Sequence, residues 1–321
     1  MTHRDAHERR LQVRAAAGGE ARDAAPGRGR LRAGTAMLVL LLLAMLGLSP
    51  ASPAAEAEAR TTPGAGDVAI HHRLHGRLED TRPLLVLIHG WSCDSSYWRE
   101  QIAALAADHA VLTVDLAGHG ESAGDREDFS MRSFGEDVQR VVEGLPTRAP
   151  VVLIGHSMGG PVAVEAARLL GSRVIGVVGV DTFSNIGLPP PPAADTERRL
   201  AAFMRDFPGS TRAFVDRSFF KPAANATLRR SIVEDMASAD PRVAIAALRG
   251  LNAWDGVAGL QALRVPVIAI NADLVPTDEA RLRAIAPNFR VVTLAGPGHF
   301  LMMEEPARFN AALRAALATL P

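Results

Sequence analysis

The chain has 321 residues, 48% hydrophobic and 22% charged, with Lys+Arg and Asp+Glu both at 35. That is enough apolar material for one sizeable α/β domain with an insertion, and the balanced charge excludes a nucleic-acid or acidic partner. The single cysteine, Cys93, excludes an intramolecular disulfide and a cysteine-clustered metal site.

Residues 1–60 read as a targeting segment outside the fold. Arg22, Arg28, Arg30 and Arg32 precede an apolar run from Ala36 to Leu48, followed by Pro50, Pro53 and small residues. The run suits a signal-peptide core better than a membrane span, which needs about 20 residues. Ala55-Glu56-Ala57 and Ala57-Glu58-Ala59 offer cleavage sites, with a new amino terminus expected between Ser52 and Arg60. The expectation is an exported protein, periplasmic or secreted. The alternative is anchoring by residues 36–48, the one route to a membrane partner.

The folded part is expected from about Gly64. Val68–Leu74 reads as an early strand, with His71, His72 and His75 expected at its surface. Pro83–Ile88 is a continuous apolar run, as a strand buried on both faces should be, and it ends in His89-Gly90-Trp91. A helix over about Tyr97–Ala107, a strand at Val111–Val114, the loop Asp115–Ser122 and a helix over Met131–Leu145 follow. Strand–helix alternation at this spacing predicts a doubly wound, mostly parallel sheet.

The chain is organised around Val151–Gly160. Val151–Ile154 reads as a short buried strand, Gly155-His156-Ser157-Met158-Gly159 as a turn, and Pro161–Leu170 as a helix. A serine on a sharp strand-to-helix turn projects its hydroxyl above the sheet, and side chains at 155 and 159 would collide with the adjoining elements. The new helix aims its free N–H groups and positive dipole end at this point, which suits an oxyanion.

Val174–Val180 is the next strand, closed by Asp181. The alternation then breaks. A proline run at 189–192 leads into amphipathic helices from Ala194 to about Gly259, where Phe203, Phe207, Phe214, Phe219, Phe220 and Trp254 concentrate. A helical insertion after the sixth strand reads as a cap over the site. This divides the folded part into a core of residues 61–183 and 263–321 and a cap of residues 184–262. The core resumes with a strand at Val265–Ile270 leading to Asn271-Ala272-Asp273, a helix at Glu279–Ile285 and the last strand at Phe289–Leu294. The loop Gly296–Phe300 and a closing helix over Pro306–Leu320 complete it.

A serine hydroxyl is a poor nucleophile at neutral pH and needs a base within hydrogen-bond reach. His299, in a glycine-flanked loop beyond the last strand, is the best placed, since a histidine can also return the proton to a leaving alkoxide. His156 competes, but a turn points neighbouring side chains apart. His119 is the other competitor. Asp273 follows the penultimate strand, 26 residues before His299, where a carboxylate can fix the imidazole tautomer. Asp181 is the alternative acid, with a turn or helix cap as its ordinary role. Asp278 is expected in the first turn of a helix.

The order Ser157, Asp, His299 resembles the α/β-hydrolase superfamily over about residues 64–321. The matching motifs are Gly-His-Ser-Met-Gly-Gly at 155–160, His-Gly-Trp at 89–91, Asp-Leu-Ala-Gly-His-Gly-Glu-Ser at 115–122 and Gly-His-Phe at 298–300. The resemblance implies the fold, the cap and a serine hydrolase mechanism, with backbone N–H groups of Trp91 and Met158 as the oxyanion hole. It also implies structural roles for Asp115 and His119. At the acid the chain departs from the family's Gly-x-x-Asp-x-x-Val-Pro: Asn271-Ala272-Asp273-Leu274-Val275-Pro276 lacks the glycine and is one residue short.

The expected activity is cleavage of small carboxylic esters through an acyl-serine intermediate, without cofactor or metal, on a small-molecule substrate; the sequence leaves the oligomeric state open. Carbon–carbon bond hydrolysis, aminopeptidase, lactonase and cofactor-free perhydrolase chemistry share the scaffold. A dehalogenase would need a carboxylate in place of Ser157. A non-catalytic ligand-binding protein is the reading from a different class.

Overall fold

The computed structural model describes residues 58–190 and 192–321. The expected signal-peptide core, the anchor at residues 36–48 and the first cleavage site lie outside the described residues.

Eight strands form one sheet in the order β1-β2-β4-β3-β5-β6-β7-β8. They are β1 (Glu58–Pro63), β2 (Ala69–His75), β3 (Leu84–Ile88), β4 (Ala110–Val114), β5 (Val151–His156), β6 (Val174–Val180), β7 (Val267–Ala272) and β8 (Phe289–Leu294). β1 and β2 run antiparallel to their neighbours, and all later pairs are parallel. Every residue of β3, β4 and β5 is buried, because helices cover both faces of the sheet there.

β1 is a correction, since its residues fall across the end of the expected targeting segment. It pairs with β2 from Glu58↔Leu74 to Pro63↔Ala69. A polar edge strand carries none of the apolar alternation by which a strand is read in sequence. His71 and His72 are a second correction: they are buried, only 5% and 3% exposed. His71 Nδ1 donates to Asp115 at 3.1 Å and its backbone N–H to the Ser122 hydroxyl at 2.7 Å. His72 shares a hydrogen bond with the Thr62 hydroxyl of β1 at 3.0 Å, so the unforeseen strand covers it. Burial, with repulsion from His71 and Arg60, lowers the His72 pKa to about 4.

The helices are α1 (Arg99–Leu105), α2 (Met131–Glu143), α3 (Gly159–Leu170), α4 (Ala193–Arg205), α5 (Phe207–Ser218), α6 (Ala226–Ala237), α7 (Pro241–Ala253), α8 (Gly256–Gln261), α9 (Glu279–Ile285), α10 (Leu301–Glu304) and α11 (Pro306–Leu317). Ser130 caps α2, which buries Phe134, Val138, Val141 and Val142. α2 crosses α3 closely: a Cβ on Gly135 would stand 2.9 Å from the Ala166 backbone nitrogen. Helices α4 to α8 lie between β6 and β7 in the chain. Asp206, Asn225, Asp240 and Asp255 cap α5, α6, α7 and α8 with side-chain acceptors, so the cap helices carry their own start signals.

The strand order places the site. β3 pairs with β4 on one side and β5 on the other, so the chain reverses its direction of winding between β3 and β5. Ligands in open α/β sheets bind at the carboxyl ends of the strands at such a point. Ile88 pairs with Gly155, which sets His89-Gly90-Trp91 beside the turn that holds Ser157.

Candidate active site

Ser157 joins β5 to α3 with φ 52, a left-handed conformation that a non-glycine residue holds at a cost of about 1–3 kcal/mol. The turn is pinned on both sides: Ser157 N–H donates to Val180 O at 2.9 Å, and Gly160 N–H to Ser157 O at 2.9 Å. The flanking glycines are sterically required. A Cβ on Gly155 would lie 2.0 Å from Gly159 O, and one on Gly159 2.4 Å from Ile88 O.

His299 follows β8 and is 9% exposed. Its Nδ1 meets Asp181 Oδ2 at 2.5 Å. The other oxygen of that carboxylate accepts the Ala272 N–H at 2.8 Å. Asp181 is itself left-handed, with φ 46, and its N–H donates to Ile270 O at 3.0 Å. Asn271 grips the next residue, accepting from Thr182 N–H at 3.2 Å and donating to Thr182 O at 2.9 Å.

The structure therefore corrects the choice of carboxylate. Asp181, not Asp273, stands against His299. β6 lies between β5 and β7, so Asp181 leaves the strand next to that of Ser157, while Asp273 leaves one strand further out. Asp273 is solvent-facing. It forms an ion pair with Lys221 from the cap and accepts the Gly296 N–H at 2.9 Å. The Lys221 contact, seconded by the Gly296 amide, holds its carboxyl below the usual carboxylate range. Asp278 caps α9 by accepting the Arg281 N–H at 3.1 Å.

The other histidines near the site have structural partners. His156 Nε2 donates to His299 O at 3.0 Å, tying the Ser157 turn to the His299 loop. Burial, reinforced by repulsion from His299, drives the His156 pKa well below 6.5. His89 donates from Nδ1 to Gly90 O at 2.8 Å and accepts the Leu116 N–H on Nε2 at 3.0 Å. His119 donates to Ala117 O at 3.0 Å, and burial next to His89 lowers its pKa to about 3. Asp115 accepts from Ser95 N–H, Glu121 N–H and His71 Nδ1 at 2.8, 3.0 and 3.1 Å. Burial alone would raise its pKa, but these donors and the nearby His89 hold it well below the usual range.

Glu304 was not foreseen. Its carboxylate accepts Gly298 N–H at 3.1 Å and Phe300 N–H at 3.2 Å, bracing the loop on both sides of His299. Burial raises its pKa against the pull of those two amides. The only sequence signal is a carboxylate five residues after a loop histidine, at the start of the closing helices.

Trp91 packs against the cap. Its Nε1 donates to Ala244 O at 2.8 Å, and Phe203, Phe207 and Phe214 meet its ring edge-on at centroid distances of 5.6, 6.0 and 6.5 Å. Among the described residues, the backbone N–H groups of Trp91 and Met158 donate to no protein acceptor. A Cβ on Gly90 would stand 3.2 Å from Ser157 Cβ, so the backbone before Trp91 passes close to the serine. No group of three or more His, Cys, Asp or Glu among the described residues is placed to hold a metal ion.

A family model described as the alpha/beta hydrolase family matches residues 85–312. The biotin biosynthesis bifunctional protein BioHC of Cellvibrio japonicus (strain Ueda107) is 27% identical over 249 residues, covering 75% of this chain and 48% of that protein. The pimeloyl-[acyl-carrier protein] methyl ester esterase of Edwardsiella ictaluri (strain 93-146) is 40% identical over 96 residues, 30% of this chain and 35% of that one. The chain thus spans about half or less of the length of these relatives. Among solved structures, a bromoperoxidase from Bacillus anthracis superposes with a TM-score of 0.71 at 23% identity, covering 82% of this chain and all of that one. That likeness is one of fold.

Proposed function

The chain belongs to the alpha/beta hydrolase family, and from that premise we propose that it cleaves small carboxylic esters through an acyl-serine intermediate. Ser157 is the nucleophile, His299 the base and Asp181 the acid. The observation that carries the reading is the 2.5 Å contact between His299 Nδ1 and Asp181. It commits Nδ1 to the carboxylate and leaves Nε2 to take the serine proton.

In this mechanism Ser157 Oγ attacks the ester carbonyl as its proton passes to His299 Nε2. Asp181 stabilises the imidazolium. The N–H groups of Met158 and Trp91 receive the oxyanion, at the start of α3 where the helix dipole also favours negative charge. The tetrahedral adduct collapses, and His299 returns the proton to the departing alkoxide. Water then repeats the sequence on the acyl-enzyme and frees the acid. The similarity to a protein named a methyl ester esterase supports an ester as the substrate. We further propose that the protein is exported, on the strength of the arginine-flanked apolar run at residues 36–48.

Labelling of the purified protein by a fluorophosphonate, beside a panel of p-nitrophenyl esters of graded chain length with an amide and a lactone, tests the reading. Labelling at Ser157 with turnover of the short esters is expected. A protein that neither labels nor turns over any ester contradicts it.

A further inference from the structure

We propose that Phe219, a residue of the cap, positions the catalytic histidine, so that docking of the cap and readiness of the base are one event. This rests on the assignment of His299 as the base.

Phe219 touches His299 in two independent ways. It lies just past the end of α5, where a helix leaves its last carbonyls without intrahelical donors. Its carbonyl takes the His299 backbone N–H at 2.7 Å instead. Its ring lies over the imidazole, with centroids 4.3 Å apart and planes 30° apart. On the far side of the same residue, His156 Nε2 holds the His299 carbonyl at 3.0 Å. His299 is thus gripped at its N–H by the cap, at its C=O by the nucleophile turn and at Nδ1 by Asp181. Three rings meet the imidazole, His156 at 4.7 Å, Phe300 at 5.3 Å and Phe219 at 4.3 Å, and Phe219 is both the nearest of them and the most nearly parallel to it, at 30°. Phe214, at 5.0 Å, and Phe300, at 5.8 Å, pack edge-on with the Phe219 ring.

The approach is close enough to dictate sequence. A Cβ on Gly298 would stand 2.3 Å from the Phe219 carbonyl oxygen, so only glycine before His299 lets the cap come down. Two residues after Phe219, Lys221 reaches Asp273, whose carboxylate also accepts the Gly296 N–H at 2.9 Å. The cap therefore ties to both ends of the loop that carries the base, and this accounts for what Asp273 does there. A base misplaced by even about 1 Å loses about two orders of magnitude in rate, so support at this point bears on catalysis.

The test compares Phe219→Ala, Phe219→Leu and Phe219→Tyr. Leucine keeps an apolar side chain without the ring, and tyrosine keeps the ring. The rate of fluorophosphonate reaction and kcat for a short p-nitrophenyl ester are expected to fall about tenfold or more in Phe219→Ala and Phe219→Leu, with little change in KM. Phe219→Tyr is expected to match the wild type. The downfield proton NMR signal of His299 Nδ1–H is expected to stay sharp in Phe219→Tyr and to broaden in Phe219→Leu. If Phe219→Ala fails to fold, the leucine–tyrosine pair still decides. A Phe219→Leu protein with wild-type kcat and a sharp signal overturns the proposal. A wild-type protein that does not label overturns instead the hydrolase reading, and the NMR comparison then still decides whether Phe219 orders His299.

Discussion

Ser157 and Asp181 leave neighbouring parallel strands side by side, both in the left-handed region, with φ 52 and 46. Each is fixed by a backbone hydrogen bond to the next strand out, Ser157 N–H to Val180 O at 2.9 Å and Asp181 N–H to Ile270 O at 3.0 Å. The two side chains are thus aimed by the same backbone device, repeated one strand apart. His299 then reaches Asp181 across the end of β7.

This arrangement predicts which aspartate the rate depends on. Asp181→Asn keeps the shape of the side chain but removes the charge and can present the wrong imidazole tautomer. A fall in kcat of about 10³- to 10⁴-fold is expected, with little change in melting temperature. Asp273→Asn is expected to stay within about tenfold of the wild type. Steady-state kinetics of both variants on one ester decide the matter, and the reverse order of effects returns the acid role to Asp273.

Ser157→Ala is expected to lose fluorophosphonate labelling and ester turnover while keeping its fold. The serine is partly exposed at the turn, so loss of its hydroxyl removes little packing. Intact-mass measurement after incubation with the probe checks this, and a phosphonate adduct on the variant removes Ser157 from the nucleophile role.

Gly155→Ala is expected to destabilise the protein by about 2–3 kcal/mol or more, because the added Cβ would sit 2.0 Å from Gly159 O, a backbone atom that cannot swing aside. Urea denaturation at fixed pH measures it. A variant of wild-type stability would show that the strand-to-helix turn is looser than its contacts imply.

Acid should weaken the fold through its buried neutral histidines. His119 has its pKa lowered to about 3, so between that value and about 6.5 the unfolded chain binds a proton that the native one refuses. Stability therefore rises with pH across this window and is lost as pH falls. At pH 5 the cost from this one group is about 2 kcal/mol relative to pH 7. Urea unfolding of wild type and His119→Gln at the two pH values is expected to show a smaller acid loss in the variant. Equal losses would mean that His119 does not carry the effect.

The proposed export is constrained by β1. Cleavage after Ala59 would remove Glu58 and Ala59, the first two residues of the strand that pairs with β2. Amino-terminal sequencing of the exported protein is expected to find a terminus at or before Glu58. A terminus beyond Pro63 would show that β1 is dispensable.

What could be read in advance follows from how local each signal was. β3, β6 and β5 up to Ile154 are apolar because both faces are covered, and Gly155 answers to a clash with Gly159 in the same turn, whereas the Gly159 clash is with the distant Ile88. The carboxylate was not local. Two aspartates each followed a strand, and only the spatial order, with β6 between β5 and β7, brings Asp181 to His299. The near-match at Asn271-Ala272-Asp273 drew attention to the wrong member of the pair, although Asn271 and Ala272 do serve the site by holding Thr182 and Asp181. His71 and His72 looked like surface residues because their partners, Asp115 and Thr62, are 44 and 10 residues away. Glu304 was missed for a related reason: a carboxylate that folds back onto backbone amides leaves no periodic trace.

The clamp between Asn271 and Thr182 has a consequence for how this molecule can vary. The helical excursion between β6 and β7 is closed at its root by the pairing of those two strands, and beyond it by one side-chain amide that meets both backbone groups of Thr182. Lengthening a loop pinched in this way costs little, about 0.6 kcal/mol per doubling. The cap is in that sense an exchangeable cassette with a fixed socket. A chimaera carrying a foreign cap in place of residues 184–262, with β7 kept, should retain its serine turn and its Asp181–His299 pair, yet run slowly until the graft offers a carbonyl and a flat ring where Phe219 now stands.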